Sequence, residues 1–261
     1  MMDIAPPVIG ALVAGAFGAG LVDAIVGGGG LILIPLLMIA LPTVPEPSII
    51  ATNKVASVSG TTTAAISFLR RVKVDKSLLT WAVPLALACS AGGALMVSVV
   101  DSAILRPIII VLLLAVGTYV ALKPSFGESS AITQRKAISR RRWFLALMVI
   151  GLISAYDGFF GPGTGTFLII SLTALLSRSF LESVAMTKVI NVSTNVGALC
   201  VLAATGNVMW LLGFVLAIAN ICGSVAGARL VISRGTGFIR IMLLIVVVAM
   251  AGKLTYDLFN G

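Results

Sequence analysis

The chain has 261 residues, of which 59% are apolar and 10% charged, and its mean hydropathy is +1.14. A soluble domain carries about a quarter charged residues, so this composition excludes an ordinary globular cytosolic fold. The chain contains no histidine, which excludes histidine-based acid–base chemistry and most zinc sites. The net charge of +9 is expected to reflect membrane topology rather than nucleic-acid binding.

Ten apolar segments follow one another along the chain, with a polar connector between the fifth and the sixth. Several of them approach the length of about 20 residues with which a helix crosses the apolar core of a bilayer. The sequence therefore predicts an all-α polytopic membrane protein. The segments lie at 8–26, 31–41, 48–68, 78–99, 103–122, 143–160, 166–176, 180–204, 209–230 and 238–256.

The two halves of the chain resemble each other when one is shifted over the other by 134 positions, without a gap. At this shift Asp23 falls on Asp157 and Lys54 falls on Lys188. A single register that holds over about a hundred residues indicates an internal duplication. The predicted parts are a first transmembrane repeat at 1–122, a basic cytoplasmic connector at 123–142 and a second transmembrane repeat at 143–261.

The basic loops predict that the second repeat is inverted relative to the first. The loop between segments 48–68 and 78–99 is rich in Lys and Arg, and so is the connector. Two crossings separate these loops, so both are predicted to be cytoplasmic. The equivalent loop of the second repeat, TGNV, is uncharged, and the basic residues Arg229, Arg234 and Arg240 are predicted to lie around the loop after the next helix instead. Inversion keeps these residues inside, whereas a parallel duplication would place Arg229 and Arg234 outside.

Each repeat is predicted to be a glycine-broken helical hairpin followed by three transmembrane helices. Inversion requires an odd number of crossings per repeat, and segment 31–41 is too short to span, at about 16 Å as a helix. The hairpin tip is predicted at the four glycines Gly27–Gly30 and at the equivalent Gly161–Gly165, since glycine propagates a helix poorly. Broken backbone at membrane depth is expected only where it is buried or lines a cavity.

The first predicted constellation combines an aspartate, glycines and the start of a short helix in each repeat. A helix N-terminus presents free N–H groups and a partial positive charge, which favour an anion, and glycine allows a ligand to approach closely. The alternative is a tight packing elbow in which the aspartate caps backbone N–H groups, and the two roles are compatible. The residues are Asp23, Gly27, Gly28, Gly29 and Gly30 in the first repeat, and Asp157, Gly161, Pro162, Gly163, Thr164, Gly165 and Thr166 in the second.

The second predicted constellation is a polar stripe on the helix that follows each hairpin. Its residues recur every four positions and so share one helix face, with a lysine beside them. Because a lysine at the bilayer centre costs on the order of 2.5–3.5 kcal/mol, each is predicted to meet an anionic substrate or, alternatively, one of the aspartates. The residues are Asn53, Lys54, Ser57 and Thr61 in the first repeat, and Thr187, Lys188, Asn191 and Asn195 in the second.

Four segments together resemble the TauE/SafE family of membrane permeases over nearly the whole chain. They are GLVDAIVGGGGLILIP, IIATNKVASVSG, YDGFFGPGTGTF and MTKVINVSTN. The resemblance implies export or uptake of sulfur-containing anions such as sulfite, sulfoacetate and related organosulfonates. It also implies that the family's binding motifs fall on Gly27–Gly30, Thr52–Lys54, Gly161–Gly165 and Thr187–Asn191. Ser57 stands where the second repeat has Asn191, so unequal contributions from the two repeats are predicted.

The resulting hypothesis is a secondary transporter of the inner membrane that binds a small sulfonate-type anion near the midplane, between the repeats. No nucleotide-binding motif is present, so transport is expected to be driven by gradients, without a cofactor or a bound metal. Asp23 and Asp157 are candidates for proton or cation coupling, with a structural role as the alternative.

Two other functions are weighed against transport by a carrier. One is a passive anion channel, and the other is an intramembrane aspartyl enzyme. The missing Gly-x-Gly-Asp element and the family resemblance argue against an enzyme. The expected partners are a small anion and the lipid bilayer but not nucleic acid, and a homodimer is left open.

Overall fold

The computed structural model describes residues 5–99, 107–111, 139–176 and 178–234, in which all regular elements are helical. Except for helical residues 107–111, the predicted segments 103–122 and 238–256 lie outside the described residues, as does most of the connector. The main helices are α1 (Pro6–Val26), α2 (Gly30–Ala40), α3 (Glu46–Leu69), α4 (Lys76–Val99), α5 (Arg140–Phe159), α6 (Thr164–Leu176), α7 (Phe180–Ala204) and α8 (Trp210–Arg234).

The helix starts repeat with the spacing found in the sequence, because α5 to α8 each begin 134 residues after α1 to α4. Several predicted boundaries differ from the helices by one to four residues. Helix α8 continues to Arg234, so Arg229 and Arg234 belong to it and not to the predicted loop, and the second half begins its first helix at Arg140 rather than at 143. The hydroxyl of Ser139 accepts a hydrogen bond from the Arg142 N–H and caps this helix. The last basic residues of the predicted connector therefore form the first turn of α5.

Five of the described helices are long and apolar enough to cross a membrane. The predicted crossing at 48–68 forms α3, whose 24 residues reach about 36 Å but whose polar stripe lowers its apolar content. The 11 residues of α2 and the 13 of α6 give about 16 and 20 Å, too short to span. The five spans are Pro6–Val26, Lys76–Val97, Arg140–Phe159, Phe180–Ala204 and Trp210–Val231.

Polarity is distributed in the opposite sense to that of a soluble protein. Large apolar side chains such as Leu152 and Leu211 are 69% and 70% exposed, whereas Lys54, Lys188 and Asp157 are at most 2% exposed. A continuous apolar exterior of this kind is stable in contact with lipid but not with water. The chain therefore folds as a multi-pass membrane protein that buries charged side chains inside a largely apolar core.

Glycine contacts hold the first half against the second, through α1 with α8 and through the equivalent pair α5 with α4. A Cβ atom at Gly20 would lie 2.2 Å from the carbonyl oxygen of Asn220, and one at Gly93 would lie 2.0 Å from that of Ala155. The Asn220 amide also donates to the Ala16 carbonyl, at 3.1 Å. Small residues thus allow these backbones to approach closely, as in other membrane helix pairs.

The ends of α3 and α7 have neighbours from the opposite half of the chain. Arg178, just before α7, forms an ion pair with Asp75, the last residue of the loop between α3 and α4. Near the start of α3, the Thr52 hydroxyl accepts a hydrogen bond at 3.3 Å from the N–H of Met209, in the loop after α7. The loop that follows α3 therefore lies beside the start of α7, and the start of α3 lies beside the loop that follows α7.

Candidate functional site

The tips of the two hairpins touch each other inside the protein. Helix α1 ends at Gly27, which has a φ of 76° and donates its N–H to the Asp23 carbonyl at 2.8 Å. A Cβ atom at Gly27 would lie 2.3 Å from the Cα of Gly165, so backbone packs directly on backbone. The Thr166 hydroxyl donates to the Val26 carbonyl at 2.8 Å across the same contact. The tips therefore pack closely at Gly27 and Gly165, as an elbow would, but the described hydrogen bonds of the Asp23 carboxylate come from Lys188 and Thr61 and not from backbone N–H groups.

Two buried ion pairs cross between the halves of the chain. The Lys54 Nζ lies 3.0 Å from the Asp157 Oδ2, and the Lys188 Nζ lies 3.2 Å from the Asp23 Oδ2. The shift of 134 positions converts one pair into the other. In this conformation each lysine meets an aspartate of the opposite half, which is the alternative considered for both lysines in the sequence.

Each lysine also donates a hydrogen bond to a backbone carbonyl near the end of a helix. Lys54 donates to the Asp157 carbonyl at 2.8 Å, near the end of α5, and Lys188 donates to the Asp23 carbonyl, near the end of α1. Carbonyl groups at a helix C-terminus carry partial negative charge and attract a cation. The ammonium groups are therefore positioned by backbone as well as by carboxylate.

A cavity of about 20 Å³ lies between the hairpin tips and the polar stripes of α3 and α7. That volume is enough for about one water molecule. An anion of the sulfonate type is larger than water, so its binding requires the cavity to widen. The cavity is lined by Asp23, Gly27, Gly30, Asn53, Lys54, Ser57, Asp157, Gly161, Asn191 and Asn195.

Eight residues predicted for the site or for coupling line this cavity, and eight others lie around it without lining it. The Thr52 hydroxyl bonds to Ser48 and Met209, and the Thr164 hydroxyl donates to the Gly161 carbonyl, so local backbone engages both. Those outside the lining are Gly28, Gly29, Thr52, Gly163, Thr164, Gly165, Thr187 and Lys188.

Three further members of the predicted motifs, Gly27, Gly161 and Thr61, also take part in the site. Gly27 and Gly161 are equivalent positions that line the cavity. A Cβ atom at Gly161 would lie 3.1 Å from the Lys54 Nζ, so the missing side chain leaves the ion pair open to the cavity. The Thr61 hydroxyl donates to the Asp23 Oδ2 at 3.1 Å. The four-residue spacing of the stripe contained the signal for Thr61.

The two halves present different polar groups to the interior. Asn53 and Thr187 occupy equivalent positions, and the buried Asn53 Oδ1 and Thr187 Oγ1 have no hydrogen-bond partner among the described residues. By contrast, Asn195 donates its amide to the Asn191 carbonyl at 2.8 Å, and the Thr194 hydroxyl donates to the Asn191 Oδ1 at 3.0 Å. An unpaired buried polar group is costly, so Asn53 is well suited to a bound ligand or water.

The described part of the chain contains no group of three His, Cys, Asp or Glu side chains that could hold a metal ion. Its cysteines, Cys89, Cys200 and Cys222, are free thiols, and the last two are exposed on the apolar exterior. These observations assign no metal to the cavity.

Comparisons with known proteins agree with a membrane protein. The family described as "Sulfite exporter TauE/SafE" matches residues 12–254. The probable membrane transporter protein YfcA of Escherichia coli K12 is 36% identical over 256 residues, covering 97% of this chain and 92% of the relative. The probable membrane transporter protein ORF9 of Sinorhizobium sp. is 35% identical over 260 residues, covering 98% and 96%. No solved structure gives a significant match. The chain belongs to the sulfite exporter TauE/SafE family of membrane transporters.

Proposed function

We propose that this protein is a secondary transporter of small sulfur-containing anions, such as sulfite, sulfoacetate or related sulfonates, in the inner membrane. The observation that carries the proposal is the cavity beside Lys54, between two touching hairpin tips and at the contact of the two halves. Inverted-repeat carriers bind their substrates at this kind of place, where broken helices meet near the midplane.

The cavity also offers donors suited to a sulfonate. The Lys54 ammonium group supplies positive charge, and Asn53 lines the same cavity with a side chain whose NH2 group can donate to an oxygen of the anion. Gly30, at the start of α2, adds the N-terminal end of a short helix to the lining. Several donors that converge on a small volume fit the three oxygen atoms of a sulfonate or sulfite group.

We also infer that the repeats, 1–122 and 143–261, are inverted in the membrane. In the first half the loop before α3 and the loop after it lie at opposite ends of that helix. The loop before α7 contacts the loop after α3 through Arg178 and Asp75. Equivalent loops of the two halves are thus at opposite ends of the bundle. This contact supports a cytoplasmic position for Arg178 and the basic loop that ends at Asp75.

Inversion makes a prediction for two equivalent exposed positions, Arg71 and Thr205. We expect Arg71→Cys to react with an impermeant thiol reagent only from the cytoplasmic side, and Thr205→Cys only from the other side. The measurement is labelling in intact cells against labelling in inverted vesicles, in a background that lacks Cys89, Cys200 and Cys222. Labelling of both positions from the same side would contradict inversion.

A carrier agrees better with the site than a channel or an enzyme does. A cavity of about 20 Å³ is not an open pore, so passage of an anion requires a change of conformation. Each aspartate is paired with a lysine, not with the other aspartate. Aspartyl catalysis uses two carboxyl groups that share one proton, and these pairs do not have that arrangement.

A binding screen tests the substrate class. We expect purified protein to bind methanesulfonate at least about tenfold more tightly than acetate, a difference of about 1.4 kcal/mol. The two anions share a methyl group and a single charge, so the comparison isolates sulfonate from carboxylate. Sulfite, sulfoacetate, taurine and thiosulfate complete the series, measured by calorimetry.

Two results of this series would count against the proposal. Tighter binding of acetate would remove the sulfonate assignment. In proteoliposomes, flux that rises linearly with concentration without saturating would favour a channel over a carrier.

A further inference from the structure

The charges of the cavity are balanced before any substrate enters. Among the described residues, the ionisable side chains at the cavity and in its ion pairs are two lysines and two aspartates, which sum to zero. A monovalent anion would therefore leave the buried site with one uncompensated negative charge. A buried charge persists only if it is paired, and otherwise it is neutralised. Anion binding thus requires a cation to enter with the anion.

The two ion pairs differ in how easily an anion can reach the lysine ammonium group. Lys54 lines the cavity and lies beside Gly161, which has no side chain to cover it. Lys188 is fully buried and does not line the cavity. An anion that enters the cavity therefore reaches the Lys54 ammonium group first, while Lys188 remains against Asp23.

The two aspartates also differ in the hydrogen bonds that their carboxylates keep once the lysine has moved to an anion. Asp23 has a second partner, the Thr61 hydroxyl. The residue equivalent to Thr61 is Asn195, whose amide donates to the Asn191 carbonyl. Among the described residues, the hydrogen bond to the Asp157 carboxylate comes from Lys54. Displacement from Lys54 would leave it the less supported of the two carboxylates.

Within the described ranges, no other ionisable group near Asp157 can supply the missing positive charge. Helix α6 carries no ionisable side chain, and α4 carries Lys76 at its start and Cys89. On α7, Lys188 pairs with Asp23, and Glu182, in the first turn of the helix, pairs with Arg178. The neighbouring Tyr156 donates its hydroxyl to the Pro162 carbonyl. Among the described residues, neutralisation of a displaced Asp157 carboxylate therefore has to come from outside.

Resting on the proposed function, we propose that an anion replaces Asp157 as the ion-pair partner of Lys54, and that the released Asp157 carboxylate then binds one proton from water. The site exchanges one ion pair for another, and the carboxylate becomes a neutral carboxylic acid. One proton accompanies each monovalent anion, which couples anion movement to a proton gradient. The pair Lys188–Asp23 keeps its charges throughout.

Infrared difference spectroscopy tests this assignment on the purified full chain. The probe is methanesulfonate, which has no carboxyl group and stays ionised near neutral pH. We expect it to induce the carbonyl band of a protonated carboxylic acid and the uptake of about one proton per anion. Its affinity should rise about tenfold for each unit by which pH falls.

Matched variants assign the band to one aspartate. Asp157→Asn should abolish it, and the equivalent Asp23→Asn should retain it. The more conservative Asp157→Glu and Asp23→Glu keep a carboxyl group if the amide variants do not fold, and only the first should shift the band. Methanesulfonate binding without a new band, or a band that follows Asp23, would overturn this inference and leave the proposed function standing. Failure of every anion in the screen to bind would overturn both.

Discussion

Replacement of Lys54 by methionine is expected to abolish methanesulfonate binding and to destabilise the protein at the same time. The variant leaves Asp157 as a buried carboxylate without its ammonium partner, 3.0 Å away in the native pair. Removal of one partner of a buried pair costs about 3–5 kcal/mol. The loss of a charged contact to the anion should weaken binding by about a hundredfold or more. Thermal unfolding in detergent and calorimetry measure the two effects.

The double variant Lys54→Met/Asp157→Asn separates structure from function. It removes both charges, so most of the lost stability should return. Binding should not return, because the cation that receives the anion is still absent. If the double variant recovered both stability and affinity, Lys54 would be a structural residue only.

The equivalent Lys188→Met variant is the matched control for this prediction. Lys188 is fully buried against Asp23 and does not line the cavity. We expect a comparable loss of stability and a smaller loss of affinity than for Lys54→Met. Unchanged affinity in both lysine variants would remove the proposed site altogether.

Gly27→Ala is expected to be the most damaging single-methyl change at the hairpin tips. Gly27 has a φ of 76°, and a Cβ atom there would lie 2.3 Å from the Cα of Gly165. Left-handed backbone costs a non-glycine residue roughly 1–2 kcal/mol. Overpacking against rigid backbone adds about 1–3 kcal/mol. We therefore expect a loss of about 2–5 kcal/mol in the free energy of unfolding.

Two other glycines allow the strain and the collision to be measured separately. Gly206 has a φ of 75°, and a Cβ atom there would have no neighbour within 4 Å, so Gly206→Ala should show the backbone strain alone. Gly18 lies in α1 with open space around it, so Gly18→Ala should be neutral or slightly stabilising. Equal losses for Gly27→Ala and Gly206→Ala would mean that the tips do not pack tightly.

The paired tips and the crossed ion pairs suggest how the proposed carrier could change access to its site. Each ion pair joins one half of the chain to the other, and the tips meet at the same place. A rocking movement of one half against the other would stretch both pairs. In carriers with inverted repeats, movement of this kind alternates access to a central site. An anion that replaces one carboxylate at Lys54 would lower the cost of such a movement.

Much of the fold could be predicted from the sequence, because its signals are local or periodic. Apolar length identified the membrane helices, and a repeat of 134 positions placed α5 to α8 in register with α1 to α4. The short α2 and α6 followed from the distance between the glycines and the next loop. The stripe on α3 and α7 followed from the four-residue spacing of its polar side chains.

The partners of the buried charges could not be predicted in the same way. Composition required Lys54 and Lys188 to meet negative charge, but a substrate and an aspartate satisfied that requirement equally well. Only the fold brings Lys54 to Asp157, 103 positions away, and Lys188 to Asp23, 165 positions away. The sequence also treated the two lysines as equivalent, whereas in the structure only Lys54 lines the cavity.

What the sequence determined by itself is therefore the membrane location, the duplication, the hairpin breaks and the family, since each depends on residue types at fixed spacings. Tertiary structure alone decided that Gly27 packs on Gly165, that the ion pairs cross between halves, and that the cavity holds about 20 Å³. These features depend on the relative placement of helices far apart in the chain. Close approach of two backbones and the pairing of distant charges leave no periodic trace in either segment, so they become visible only when the helices are packed.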